Sequence, residues 1–379
     1  MRRTWLRRAA VLAALTALTY GFTASPLPAV SAPGPVVLSN GADVSWLPLL
    51  EREGTRFVTD KGKRTDPLLL MSSAGLKVAR VRLWVNPANQ DSSLDEALAL
   101  AKRIRAAKLA LVLDLHYSDW WADPANQKIP AAWEHLSHAG LVEQVGDYTA
   151  QTLGAFVDQG TPPAWVQIGN EIANGMLWPD GALKAWTPAE FSSLADLLNS
   201  GTQAARQASP KSRVLIHLET GGDASKTRNW LSMAFAAGLN KPDGVGLSYY
   251  SQWSGSFSKL TDALAVVSNE YGLRVAIAET AYPNSASQSP RPLLDPNKSR
   301  LPGFALSPSG QAAYATKVAE ILRKTAGTRG IGVWWWEAFS PNRLRVKMGS
   351  GPSALMFSSL VSQEGAPNAA MKALGRASR

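Results

Sequence analysis

Two glutamates stand where apolar strands would be expected to end. Glu171 follows Val166-Gln167-Ile168-Gly169-Asn170, and Glu279 follows Val275-Ala276-Ile277-Ala278. A carboxylate at the end of a buried strand costs free energy unless it is paired or used. Two carboxyl groups flanking a glycosidic bond can break it: one protonates the leaving oxygen and the other attacks the anomeric carbon, at a separation of roughly 5–5.5 Å when configuration is retained. The competing reading for either residue is a structural acid held in a salt bridge.

Other polar and aromatic residues end comparable apolar runs: Asp43, Arg80 and Arg82 with Trp84, His116 with Tyr117 and Asp119, Asn170, His217 and Glu219, Tyr249 and Tyr250, and Trp335, Trp336 and Glu337. So many at strand ends is hard to explain as packing. Asn170 is suited to bonding a sugar 2-hydroxyl, or to stabilising a turn. Arg80 or Arg82 could keep a carboxylate ionised, since an adjacent cation lowers its pKa. Their spacing of two places both on one face of a strand, either in the mouth or toward the helices. His116 reads as a sugar ligand, a metal ligand or a core histidine. Trp120, Trp121, Trp133, Trp178 and Trp253 fall in loops at strand ends, where indole faces could stack on sugar rings or simply pack. Trp336 is the candidate floor beneath the cleaved sugar.

The elements that must position these residues are eight apolar, β-branched runs: Val36–Val44, Lys77–Val85, Leu109–His116, Trp165–Glu171, Arg213–Glu219, Gly244–Tyr250, Arg274–Thr280 and Ile331–Trp336. Helical patterns lie between them. Leu94, Ala97, Leu98 and Ala101 share a face, and Ser93 with Glu96 predicts a capping box. Thr187-Pro188-Ala189-Glu190 opens another helix with proline at its first position, and Gln311 to Lys324 gives a third. Eight strand–helix units predict a (β/α)8 TIM barrel forming one catalytic domain over residues 33–379, with its active site at the C-terminal ends of the strands. No glycine-rich dinucleotide loop follows the first strand, which argues against a doubly wound sheet. Residues 286–309 lack periodicity and read as a long loop after the seventh strand. His135 and His138 read as loop residues.

The chain has no cysteine, which excludes disulfides, thiolate metal sites and cysteine nucleophiles. No histidine pair has helical metal-ligand spacing, so transition-metal catalysis is not expected. The formal charge is +10, but without a dense basic stripe, so no nucleic-acid partner is expected. Arg2, Arg3, Arg7 and Arg8 precede an apolar run from Ala9 to Phe22 and the small residues of Val30-Ser31-Ala32. This is the layout of a signal peptide over residues 1–32, and predicts a secreted or periplasmic protein without integral membrane association.

Several blocks resemble the arabinogalactan endo-β-1,4-galactanases of glycoside hydrolase family 53. They are Arg80-Val81-Arg82-Leu83-Trp84-Val85, His116-Tyr117-Ser118-Asp119 with Trp121-Ala122-Asp123-Pro124, Gln167 to Glu171 continuing through Asn174-Gly175-Met176-Leu177-Trp178-Pro179, Gly246 to Tyr250 with Trp253, and Glu279-Thr280-Ala281-Tyr282-Pro283. The resemblance implies endo-hydrolysis of β-1,4-galactan with retention, Glu171 as acid/base and Glu279 as nucleophile. It implies the clan's active-site arginine at Arg80 or Arg82, a sugar-contacting histidine at His116 and the strand-six tyrosine at Tyr249 or Tyr250. It implies a substrate-binding set of Asp43, Arg80, Arg82, His116, Asp119, Trp121, Asp123, Asn170, Trp178, Tyr249, Tyr250, Trp253 and Trp336. Another retaining β-glycanase of the clan, a mannanase or xylanase, is the alternative. Ser251-Gln252-Trp253-Ser254 and Ala338-Phe339 depart from the family pattern and point to altered outer subsites. Some bacterial members bind calcium after strand seven; Asp295 and Asn297 alone supply too few oxygens, so no cofactor is expected. The expected partner is polysaccharide, and the expected state a monomer.

Overall fold

Strands covered on both faces read as continuous apolar runs, and each of the eight predicted runs overlaps a strand of one parallel barrel, the last strand starting one residue before its run, at Gly330. The computed structural model describes residues 36–286, 298, 300–339, 347–348, 351–352 and 358–379. The signal-peptide reading, residues 287–297 and 299 of the 286–309 loop, and with them the Asp295 and Asn297 of the calcium reading, lie outside these residues. The strands are β1 (Gly41–Asp43), β2 (Val78–Leu83), β3 (Ala110–Leu115), β4 (Trp165–Ile168), β5 (Arg213–Leu218), β6 (Gly244–Ser248), β7 (Arg274–Thr280) and β8 (Gly330–Trp335). Each pairs with its sequence neighbours, and β1 closes the ring on β8. Most are shorter than the apolar run that announced them, because the runs include the turns leading to the mouth.

One major helix follows each strand: α1 (Pro67–Ala74), α2 (Leu94–Ala106), α3 (His138–Asp158), α4 (Pro188–Ala208), α5 (Ala224–Ala236), α6 (Phe257–Ala265), α7 (Pro308–Ala326) and α8 (Ala369–Arg376). Their starts are chemically marked. Thr187 and Glu190 form a complete capping box at α4. At α2 the box is only half made: Ser93 Oγ accepts from Glu96 N, but the Glu96 carboxylate reaches back one residue further, to Ser92 N at 2.7 Å. The helix predicted from Gln311 begins earlier, at Pro308, with Ser307 capping Gly310 N, so the loop ends before residue 308. His138 also departs from expectation. It opens α3, and its Nδ1 lies 2.7 Å from Asp180 Oδ2. The last helix closes the ring by packing on α1, where a Cβ on Gly375 would fall 1.9 Å from Ala74 O.

The barrel interior is layered. Val78, Val112, Trp165, Leu215, Ala276, Ala278, Ile331 and Trp334 form an apolar floor. Two residues further along β2 to β5, on the same inward face, come Arg80, Asp114, Gln167 and His217. All four have zero exposure. The polar site therefore rests on a plug of packed side chains.

Strand β7 carries an irregularity that decides where Glu279 points. Ala276 and Ala278 face the interior, so simple alternation would send Glu279 outward. The pairing with β6 steps from Leu247–Ile277 to Ser248–Glu279, and that with β8 from Val333–Ile277 to Trp335–Thr280. Both neighbours thus see one extra residue on β7. This is a β-bulge, which re-aims the side chain that follows it.

Gly246 leaves room for the bulge, since a Cβ there would lie 2.7 Å from Ala278 Cβ and 3.2 Å from Leu215 Cδ2. Gly246→Ala is expected to lower stability by about 1–3 kcal/mol through overpacking. Denaturant unfolding measures this; an unchanged midpoint would show spare room that the packing denies.

Candidate active site

Arg80 is the centre of the polar layer. Its Nη1 lies 3.1 Å from Asp43 Oδ2. Its Nη2 lies 2.9 Å from Asp114 Oδ2 and 3.0 Å from Glu279 Oε1. Nε donates to Gln167 Oε1 at 3.2 Å and Nη2 to Asn170 Oδ1 at 2.9 Å. Burial opposes the guanidinium charge, but Asp114, Glu279 and Asp43 outweigh it and hold the pKa above its ordinary value. The Arg80–Glu279 approach is a charge contact without hydrogen-bond alignment, and among the described residues Glu279 Oε1 has no hydrogen-bond donor. The other oxygen accepts from Tyr250 Oη at 3.0 Å.

Glu171 sits opposite in a different environment. Strand β4 stops at Ile168; Gly169 then takes φ 78° and Glu171 φ 50°. Left-handed backbone at a non-glycine residue costs roughly 1–2 kcal/mol and is often found at functional sites. Here the turn lifts Glu171 toward the mouth, where it is partly exposed while Glu279 is 5% exposed. Ser248 Oγ lies 2.6 Å from Glu171 Oε1. Among the described residues no arginine or lysine pairs with Glu171 directly, and burial, then Glu279, then Glu219, push its pKa well above the usual range. Burial raises Glu279 also, but Arg80 pulls against that rise. Carboxylate oxygens of Glu171 and Glu279 and a ring nitrogen of His217 all lie within 4.8 Å of one another. Strands β4 and β7 thus deliver two carboxyl groups to one point, closer than the roughly 6.5–9.5 Å that an inverting pair keeps for its water.

The model of the family described as glycosyl hydrolase family 53 matches residues 39–374. The chain belongs to this family. It is 36% identical to an arabinogalactan endo-beta-1,4-galactanase of Cellvibrio japonicus over 322 residues, covering 82% of this chain and 83% of the relative. It is 33% identical to one of Thermothelomyces thermophilus, covering 78% and 88%. Among solved structures, a fungal beta-1,4-galactanase superposes with a TM-score of 0.79 at 29% identity, covering 90% of this chain and 99% of the other. The family 53 catalytic domain of Ignisphaera aggregans superposes at 0.81 and 26% identity, covering 92% and 98%.

Within this family 53 barrel the expected site residues separate into groups. Asp43, Arg80, Asn170, Tyr250 and Trp336 surround the glutamate pair, with Arg80 Cζ 5.7 Å from the Trp336 ring centroid. Tyr249 does not join them. Its hydroxyl donates to Gly255 O at 2.7 Å and its ring packs beside Phe257, because successive residues turn to opposite faces. Arg82 is also removed from the pair. It is fully buried among Trp46, Trp84 and Trp121, with Cζ 4.2–4.9 Å from their ring centroids and Nε donating to Ser92 Oγ at 3.0 Å. His116 has no free nitrogen for a sugar. Its Nδ1 accepts from Trp84 Nε1 and Ala122 N, and Nε2 faces Asp114 Oδ2 at 3.0 Å. Its place is beneath the site.

Asp119 braces two loops by accepting from Asn86 N and Ala131 N, and Asp123 accepts from Ala125 N. Trp121 packs 5.9 Å from Trp336, and Trp178 is half-buried in the loop after Glu171. Trp253 is 56% exposed, edge-on to Tyr250. Asp114, Gln167 and Ser248 were not singled out from sequence. Period two was the available signal: Asp114 precedes His116 by two, and Gln167 is polar within an otherwise apolar strand.

Arg80→Met should leave three buried acids without their cation. We expect a stability loss of roughly 3–5 kcal/mol, typical of removing one partner of a buried ion pair. Thermal unfolding measures it, and a loss below 1 kcal/mol would mean these acids do not depend on Arg80.

Proposed function

We propose that this glycosidase is an endo-β-1,4-galactanase acting on the galactan of type I arabinogalactan. Glu171 is its acid/base and Glu279 its nucleophile. The carrying observation is the asymmetry of two carboxyl groups whose oxygens approach within 4.8 Å. Arg80 and Tyr250 favour the ionised form of Glu279. Among the described residues Glu171 has no paired cation, and it lies near Glu279 and Glu219, which favours its protonated form.

In the first step the Glu171 proton passes to the glycosidic oxygen as the bond to the anomeric carbon breaks. The Glu279 carboxylate bonds that carbon. In the second step Glu171 takes a proton from water, whose oxygen displaces Glu279, and β-configuration is restored. Asp43, Arg80 and Asn170 hold the nucleophile side; Trp336, Trp121, Trp178 and Trp253 supply indole surface for sugar rings, with Asp119 and Asp123 fixing the loops that carry Trp121. Arg82 and His116 support that wall from beneath. No cofactor enters this scheme, and both His217 nitrogens are committed to Asn170 and Ser248. Substrate specificity is supported by the galactanase relatives. Similarity to xylanases, at 12–14% identity and TM-scores of 0.57–0.58, concerns the fold alone.

We further propose secretion or periplasmic location through residues 1–32 and action as a monomer. No described helix is long and apolar enough to cross a membrane.

Hydrolysis of galactan, mannan and xylan should favour galactan, with Glu171→Gln and Glu279→Gln each lowering kcat by a factor of 10³ or more, on the order expected for lost acid–base or nucleophilic catalysis. Preference for mannan or xylan would assign the chain to another retaining specificity, and full activity in either variant would remove that glutamate's role. The pH profile should be bell-shaped. Activity rises as Glu279 ionises and falls as pH passes the raised pKa of Glu171; Glu171→Gln should abolish the alkaline limb.

A further inference from the structure

Behind Glu171 lies a file of hydrogen-bonding groups that the hydrolysis scheme leaves unexplained. Ser248 Oγ is 2.6 Å from Glu171 Oε1 and 2.8 Å from His217 Nε2, and His217 Nδ1 is 2.7 Å from Asn170 Oδ1. We propose that Ser248 and His217 are positioning residues forming a one-directional relay that holds the proton on Glu171 until the leaving sugar takes it. This rests on Glu171 being the acid.

The direction follows from counting hydrogens. Asn170 is fixed in orientation, since its Nδ2 donates to Ala122 O at 2.9 Å and its Oδ1 receives Arg80 Nη2. The amide oxygen therefore faces His217, and the hydrogen in that contact belongs to His217 Nδ1. Gln167 Nε2 also approaches Nδ1, at 3.2 Å, but one of its two hydrogens is held by Asp114 Oδ1 and the other is shared between Gly169 O and Asn170 Oδ1, each at 3.1 Å. His217 is fully buried, and burial, then the Arg80 charge, keep it neutral. Its Nε2 then carries no hydrogen and must accept from Ser248. A Ser248 hydrogen turned toward Glu171 Oε1 would lower that carboxyl's pKa and leave the buried Nε2 without a donor; with the hydrogen spent on Nε2 instead, the 2.6 Å contact is bridged by a proton on Glu171.

When Glu171 gives up that proton, its carboxylate faces a lone pair. Ser248 must rotate to donate to it, and His217 Nε2 loses its partner inside the barrel. The relay therefore opposes ionisation of Glu171 and favours its reprotonation by water in the second step. The other ionisable groups facing these residues are Glu279, Glu219, Asp123 and Tyr250 around Glu171, with Lys226 3.3 Å from Glu219, and Arg80, Asp114 and His116 around His217. None of them contacts Ser248 in a way that supplies a second hydrogen.

Two experiments on the full-length chain test this. In protein labelled with nitrogen-15 at histidine, His217 should appear as the neutral tautomer with hydrogen on Nδ1. An Nε2–H tautomer or an imidazolium overturns the relay, with no dependence on substrate identity. In Ser248→Ala the alkaline limb of kcat/KM should move about one unit toward lower pH, as a lost hydrogen bond to one protonation state implies. Ser248→Thr should return it. An unmoved limb in a folded, active Ser248→Ala enzyme overturns the proposal even if galactanase activity stands. If the alanine variant does not fold, the tautomer decides.

Discussion

A guanidinium with no solvent contact must be neutralised where it stands. Arg80 meets this requirement through Asp43, Asp114 and Glu279, drawn from β1, β3 and β7. Those acids belong to strands far apart in sequence, so only a closed sheet can bring them to one point. The apolar floor below excludes water from one side, which makes each charge contact stronger and each missing partner more costly. Gln167 and Asn170 accept two further hydrogens of the guanidinium, from β4 and the turn beyond it. The glutamate pair inherits its geometry from this cluster.

The same cluster makes the two glutamates different. Glu279 is turned inward by a bulge and placed against the cation, while Glu171 leaves its strand through a left-handed residue and stands away from it. Burial raises both carboxyl groups, whose oxygens lie within 4.8 Å, but Arg80 and Tyr250 restrain the rise at Glu279 and no such cation restrains it at Glu171 among the described residues. Their mutual repulsion adds to this, since ionising one opposes ionising the other. Aromatic rings complete the site: Trp336 beside Arg80, and Trp121 between Trp336 and the buried Arg82.

Sequence patterning conveyed the barrel well because strand burial on both faces leaves an unmistakable apolar run, and because helix starts carry explicit caps such as Thr187 and Glu190. It located both glutamates from their positions at strand ends. It did not show which of Arg80 and Arg82, or of Tyr249 and Tyr250, faces the chemistry. The arginines share a face but differ in depth, and depth depends on neighbouring strands. The bulge that aims Glu279 inward was invisible for a related reason: a bulge is a mismatch with partners, not a property of one strand. Asp114 and His217 passed unnoticed or unassigned because polar residues inside a barrel acquire meaning only when their counterparts are known. The contact of His138 with Asp180 likewise joins segments that sequence spacing does not connect.

The central claim is that Glu279, held against Arg80, bonds the sugar while Glu171 carries the proton. Trapping the intermediate with an activated 2-deoxy-2-fluoro-galactoside, followed by peptide mass spectrometry, tests it most directly. One fluorosugar per chain, attached to Glu279, is the expected result. Attachment to Glu171, or hydrolysis with inversion and no covalent adduct, would contradict it.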